Sequence, residues 1–198
     1  MNMLVVLGHP RPGSLNHALA QSACDALRAL GHDVVFHDLH AEGFDPALPP
    51  REFPKGVRPE ETVERHVQEL ENADGIVIVH PNWWGMPPAV LKGWIDRVFR
   101  PGRAYEFVDG DNGEGVPRGL LKARAAVVFN TTNTYPEREQ TVFGDPLERI
   151  WKDCIFGLCG VDVVHRRCFG VVTVSSPEQR ARWLVEVGET MRRLFPAG

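Results

Sequence analysis

The 198-residue sequence is poor in several things that would point elsewhere. Its four cysteines, Cys24, Cys154, Cys159 and Cys168, form neither a CxxC pair nor a zinc-ligand spacing. They read as free, buried thiols in a reducing cytoplasm. Basic charge is not in excess. Lys and Arg number 22 against 26 Asp and Glu, for a net charge of -4, which argues against nucleic acid as the main partner. No apolar run approaches the length of a membrane span, so no integral membrane segment is expected. The N-terminal MNMLVVLGHP has neither a basic region nor a signal-type cleavage site, and a cytoplasmic location is expected. There are no internal repeats. The absence of GxGxxG and GxxxxGK[ST] disfavours a permanently seated Rossmann dinucleotide and a P-loop NTPase, and no GxSxG nucleophile motif occurs.

What is present has an ordinary globular balance, 43% apolar and 24% charged, and is expected to form one domain over residues 1–198. Short apolar runs alternate with helical patterns. Met3–Gly8, Gly75–Val79 and Ala125–Phe129 lack polar alternation, as strands buried on both faces do. Val34–Phe36 is a further short strand, and Val161–Val164 with Gly170–Val174 share the fifth-strand region. Helices are expected over Leu15–Leu30, Glu60–Glu71, Ala89–Phe99, Leu147–Gly157 and Pro177–Leu194. Glu42–Pro59 reads as surface loop. Pro101–Gly119, rich in glycine and acidic residues, is expected to be mobile. The alternation implies an α/β three-layer sandwich with a five-stranded parallel sheet of flavodoxin-like order 2-1-3-4-5. Ligands of such sheets bind beyond the carboxyl ends of the strands, at the switch point between strands one and three.

Three loops meet there. The first is HPRPGSLNHAL, from His9. Ser14 is a natural N-cap, and the N–H groups of Leu15, Asn16 and His17 would make a phosphate site with the helix dipole. Equally, Ser14 could do no more than cap its helix. The second loop is PNWWGMPP, in which Pro81, Asn82, Trp83, Trp84 and Gly85 offer a flat apolar wall and a close backbone approach. The next helix start would add positive potential. A flavin ring needs this combination of wall, donor and field. Core or dimer-interface packing is the competing use of the two tryptophans. The third loop is NTTNTYP, where Thr131, Thr132, Asn133 and Thr134 offer hydroxyls, amides and N–H groups, or simply cap their own turn. Weaker candidates are His32, His37 and His40 with Asp33 and Asp38, whose spacing matches no metal set and which read as solvated, and the charge run Glu137-Arg138-Glu139, which reads as a solvated face.

The pattern HPNWWGMPPAVLKGWIDRVF, followed by RAYEF, closely resembles the NAD(P)H quinone oxidoreductases of flavodoxin-like fold. GHPRPGSLNHAL and the NTT turn match that family in order and position. The resemblance runs from Met3 to about Val174. It implies a homodimer with flavin at the subunit interface, and ping-pong transfer of a hydride from NAD(P)H to a quinone or similar small aromatic acceptor. Carried over, His9, Ser14, Leu15 and Asn16 would hold the flavin phosphate. Pro81, Asn82, Trp83, Trp84 and Gly85 would line the ring, and Thr131, Thr132, Asn133 and Thr134 would meet its polar edge. The family's better-known members place a Tyr and a His beyond the paired threonines to assist charge at the flavin. Here Phe143 stands in the His position and Tyr135 is the catalytic candidate. The chain lacks the C-terminal extension of the larger animal enzymes, which leans toward FMN, with FAD left open. Two other functions share this fold: an ancillary regulatory flavoprotein of a potassium-efflux system and a flavodoxin-type electron carrier.

Overall fold

A computed structural model describes residues 1–108, 115 and 117–197. Its main sheet is parallel and five-stranded, built from β1 (Asn2–Leu7), β2 (Asp33–Asp38), β3 (Gly75–Pro81), β6 (Ala126–Thr131) and β7 (Val164–Phe169) in the order β2-β1-β3-β6-β7. Counting only these strands, that is the expected 2-1-3-4-5. The remaining two strands, β4 (Tyr105–Phe107) and β5 (Pro117–Gly119), form a small antiparallel pair. β1, β3 and β6 form the middle of the sheet; β3 and β6 are buried throughout and β1 at all but its first residue. Their Val- and Ile-rich runs have apolar neighbours on both sides, which is why they show no polar alternation.

Helices cover both faces. α1 (Leu15–Ala29) and α6 (Pro177–Leu194) lie on one face and share a core with Val5, Val77 and Phe129. Ser22 on α1 donates to the Leu184 carbonyl on α6 (2.8 Å). α2 (Glu61–Asn72), α3 (Ala89–Val98) and the segment from α5 (Pro146–Arg149) into a π-helical stretch (Ile150–Gly157) cover the other, packing Val67, Trp94, Trp151 and Phe156 on Ile76 and Val128. Gly93 on α3 is the close approach: a Cβ there would stand 2.2 Å from the Pro46 carbonyl oxygen. The Glu42–Pro59 loop is thus pressed against α3, and buried Arg97 fixes it through the Asp45 carbonyl (2.7 Å) and Glu52 (2.9 Å), and also holds Glu60 just beyond it (2.9 Å). Among the described residues no helix is long and apolar enough to cross a membrane.

The structure corrects several sequence-based expectations. The fifth strand is VHRRCF; Val161–Val163 precede it, and Gly170–Val174 leave the sheet for a 3-10 turn at Val172–Val174. An edge strand tolerates such polarity because one flank meets solvent. PEREQTVF, read as a charged surface, forms helix α4 (Pro136–Phe143), ended by Gly144 in the left-handed region (φ 70°). Residues 105–107 and 117–119 of the stretch expected to be mobile pair as β4 and β5, while 109–114 and 116 lie outside the described residues. All four cysteines are free, but only Cys24 and Cys159 are buried; Cys154 is exposed. His32 and His37 are buried, not solvated: His32 shares a hydrogen bond with the Phe195 carbonyl (2.9 Å) and His37 sits between carboxylates.

Candidate active site

The loops after β1, β3 and β6 emerge at the same end of the sheet and enclose a cavity of about 1010 Å³. All thirteen sequence-predicted ligand residues line it: His9, Ser14, Leu15 and Asn16 from the first loop, Pro81, Asn82, Trp83, Trp84 and Gly85 from the second, Thr131, Thr132, Asn133 and Thr134 from the third. Tyr135 does not line it and is 66% exposed.

One pole of the cavity is the start of α1. Ser14 caps the helix, its hydroxyl accepting from the His17 N–H (3.4 Å), so the expected free donors reduce to Leu15 and Asn16. Those two N–H groups have no acceptor among the described residues and lie at the positive end of the helix dipole. The Asn16 side chain, which the sequence offered to a ligand, has a partner within the chain. It donates to Thr131 Oγ1 (3.0 Å) and so ties the first loop to the third. His9 accepts at Nδ1 from the Arg11 N–H (3.1 Å), which puts the hydrogen of the neutral ring on Nε2. Burial lowers the His9 pKa, which favours the neutral ring.

The second loop closes as a two-residue hairpin. Trp83 and Met86 exchange both backbone hydrogen bonds (3.1 and 3.0 Å), and Trp84 (φ 58°) and Gly85 (φ 72°) supply the left-handed corner. Glycine adopts that geometry freely; tryptophan does so at a cost. Asn82 compensates. Its Oδ1 accepts from the Gly85 N–H (2.9 Å), its Nδ2 donates to Glu139 Oε1 (2.9 Å) and its own N–H donates to the Thr131 carbonyl (2.6 Å). Trp84 is thereby held 101% exposed and Trp83 44% exposed, so neither is a core residue. The α3 start does not reach the cavity, and the expected dipole from that helix is absent from its lining.

In the third loop the Thr134 N–H turns back to Thr132 Oγ1 (3.1 Å) and Asn133 Oδ1 accepts from the Thr173 N–H (3.1 Å). The Asn133 N–H has no acceptor among the described residues. Sequence reasoning missed Arg11, Glu139, Val142, Pro146 and Val172 as lining residues, while Phe143, set by the resemblance in the position of the family's His, also lines the cavity. Glu139, buried on the inner side of α4, is the acidic one. Beneath the cavity, fully buried His80 accepts from the Trp151 indole (3.0 Å) and donates to the Pro81 carbonyl (2.8 Å); burial takes its pKa down to about 4.

A second polar cluster lies away from the cavity. Donor atoms of His37, Glu42 and His66 fall within 4.8 Å of one another, a spacing that a cation could bridge. The Trp94 indole, however, donates to His66 Nδ1 (3.0 Å). That leaves the hydrogen of the neutral ring on Nε2, the atom a metal would need. Both His37 nitrogens face carboxylates, Glu42 at 2.9 Å and Glu69 at 2.6 Å, an arrangement suited to an imidazolium.

A family model described as flavodoxin-like fold matches residues 1–191. This chain belongs to that family. It is 32% identical over 185 residues to an uncharacterized NAD(P)H oxidoreductase of Haemophilus influenzae, covering 91% of this chain and 89% of that one. Against NAD(P)H dehydrogenase [quinone] 1 of Rattus norvegicus the identity is 30% over 204 residues, covering 91% and 73%. The crystal structure of an FMN-dependent NADH-azoreductase from Bacillus anthracis in complex with FMN superposes with a TM-score of 0.77 at 17% identity, covering 97% and 98%; at that identity the likeness is one of fold.

Proposed function

We propose that this flavodoxin-like protein is a flavin-dependent NAD(P)H dehydrogenase (quinone), with FMN favoured over FAD. The observation that supports the reading is the convergence of three loops on one cavity that offers both open helix N–H groups and exposed indoles. The donor set fits a flavin. Leu15 and Asn16 offer unpaired N–H groups to a phosphate, His9 offers Nε2–H, and the Asn133 N–H is free for a polar ring edge. Pro81, Trp83 and Trp84 give the flat wall that an isoalloxazine needs. The named relatives are NAD(P)H oxidoreductases, and the azoreductase of the same fold carries FMN.

When bound, the flavin would supply hydride transfer from NAD(P)H to a quinone or similar aromatic acceptor, donor and acceptor using one pocket in turn. The chain's own groups bind, orient and exclude water. Glu139 fixes the Asn82 amide, and that amide fixes the Trp83–Met86 turn. Trp84, Val142 and Phe143 line the cavity and leave apolar surface exposed beside it. A second copy of this chain laid across that surface would cover it and close the cavity, which accords with a homodimer. Tyr135, exposed and next in the chain to the lining residue Thr134, remains our candidate for assisting charge at the flavin.

The test is reconstitution with FMN and FAD followed by desalting, an absorbance spectrum, and NADH and NADPH oxidation with a quinone. Retained flavin and parallel initial-velocity plots are expected. A colourless protein that oxidises neither nicotinamide would end the reading.

A further inference from the structure

We propose that His17, held by Asp38, decides whether Ser14 can donate a hydrogen bond to the flavin phosphate, so that phosphate binding takes up one proton. This rests on the flavin reading above. His17 is on the first turn of α1 and Asp38 ends β2, 21 positions away in the chain. His17 Nε2 lies 3.0 Å from Asp38 Oδ2, and His17 Nδ1 lies 2.8 Å from Ser14 Oγ. The other Asp38 oxygen accepts from the backbone N–H groups of His40 and Ala41 (3.2 and 3.1 Å). Asp38 is therefore fixed as an acceptor, and His17 Nε2 must carry a hydrogen. The proton that comes and goes is the one at Nδ1.

Ser14 has one hydrogen to give, and the bookkeeping around it is closed. With Nδ1 bare, the Ser14 O–H donates to it and the hydroxyl turns lone pairs toward the cavity, where an anion is repelled. With Nδ1 protonated, Ser14 Oγ accepts from Nδ1–H as well as from the His17 backbone N–H, and its own hydrogen is released toward the cavity. A phosphate beside Leu15 and Asn16 selects that second arrangement. One proton moves from solvent to Nδ1, the Ser14 hydrogen turns from Nδ1 to a phosphate oxygen, and no bond between heavy atoms changes. The charged and titratable groups facing this chain of three are Asp38, His9, whose ring centroid lies 6.0 Å from that of His17, and, around His9, Arg11 and His40. His17 acts through Ser14, so it is a positioning residue.

The experiment is titration calorimetry with FMN, FAD and riboflavin at about pH 7.5, where a phosphate monoester is already largely dianionic. It is run in two buffers of different ionisation enthalpy. Net proton uptake on binding FMN or FAD, and none for riboflavin, is expected. His17→Gln should abolish the uptake and weaken the phosphorylated flavins on the order of tenfold while leaving riboflavin unchanged. Asp38→Asn should lose the uptake as well, and His9→Asn should keep it, which separates His17 from its neighbour. Flavin binding with no uptake, or uptake that persists in His17→Gln, overturns this inference and leaves the flavin reading standing. Failure of all three flavins to bind overturns both.

Discussion

Tryptophan is used in two opposite ways in this molecule. Trp94 and Trp151 are wholly buried beneath the sheet, and each spends its one N–H on a buried histidine, His66 and His80, at 3.0 Å. Trp83 and Trp84 stand on a hairpin at the cavity mouth, and Trp84 touches almost nothing of its own chain. The first pair has apolar contact and a satisfied donor, and needs no further partner to explain it. Within the second pair, Trp83 keeps a tilted ring contact with His9 (centroids 6.3 Å), whereas fully exposed Trp84 has no such contact among the described residues, and its backbone is bent into a left-handed corner that keeps it out. Structure that costs stability and contributes no internal packing points outward, to a ligand or another chain.

The sharpest way to break this comparison is truncation. Trp151→Ala should lose about 3–5 kcal/mol of stability in urea, because the cavity left behind adds to the lost transfer energy. Trp84→Ala should leave the urea midpoint nearly unchanged while reducing retained flavin. Equal loss of stability in both variants would mean that the exposed indole is part of a core after all. Acid should act next. With its folded pKa at about 4 against an ordinary 6.5, His80 favours the neutral form in the native state. Its contribution is complete above about pH 6.5 and falls away through pH 4, a loss on the order of 3 kcal/mol by linkage. His37 runs the other way. Burial opposes its charge, but the Glu69 and Glu42 carboxylates outweigh burial and raise its pKa. That contribution is complete below about pH 6.5 and is lost as pH climbs through the raised value. Urea midpoints measured from pH 4 to 9 should therefore peak between the two, and a profile flat across the acid limb would refute the assignment to His80.

Two smaller effects sharpen the contrast at the hairpin itself. Glu139→Ala should cost about 1–2 kcal/mol by leaving the Asn82 amide without its charged acceptor, and Glu139→Gln, whose carbonyl can still accept, should cost less. Trp84→Gly should gain about 1 kcal/mol by relieving the left-handed corner, even as binding falls. A stability loss there would show that the indole is supported by contacts within the chain.

The sheet was legible because β1, β3 and β6 are buried runs of Val, Ile and Leu, and no other element in such a fold reads that way. β7 was not, since an edge strand can carry His165, Arg166 and Arg167 and looks like a loop in one dimension. The thirteen cavity residues were legible because they sit in three contiguous motifs directly after strands. Glu139 was hidden in a run of charge whose outer members face solvent while it turns inward. The links from Ser14 through His17 to Asp38, and from Asn16 to Thr131, join residues 21 to 115 positions apart. Only the folded sheet brings those together.

The place of β1 in the sheet also sets an order on synthesis. Of the five strands of this sheet β1 is made before the others, and it is flanked by β2 on one side and by β3 on the other, which pairs with it only from Gly75 onward. Until then one long apolar edge has no strand to pair with, and the sheet is finished only when Val164–Phe169 arrives. Such sequence-distant parallel pairing is slow and exposes sticky intermediates. A nascent chain arrested before residue 75 should therefore associate with holdase chaperones, and one arrested well past residue 169 should be released from them.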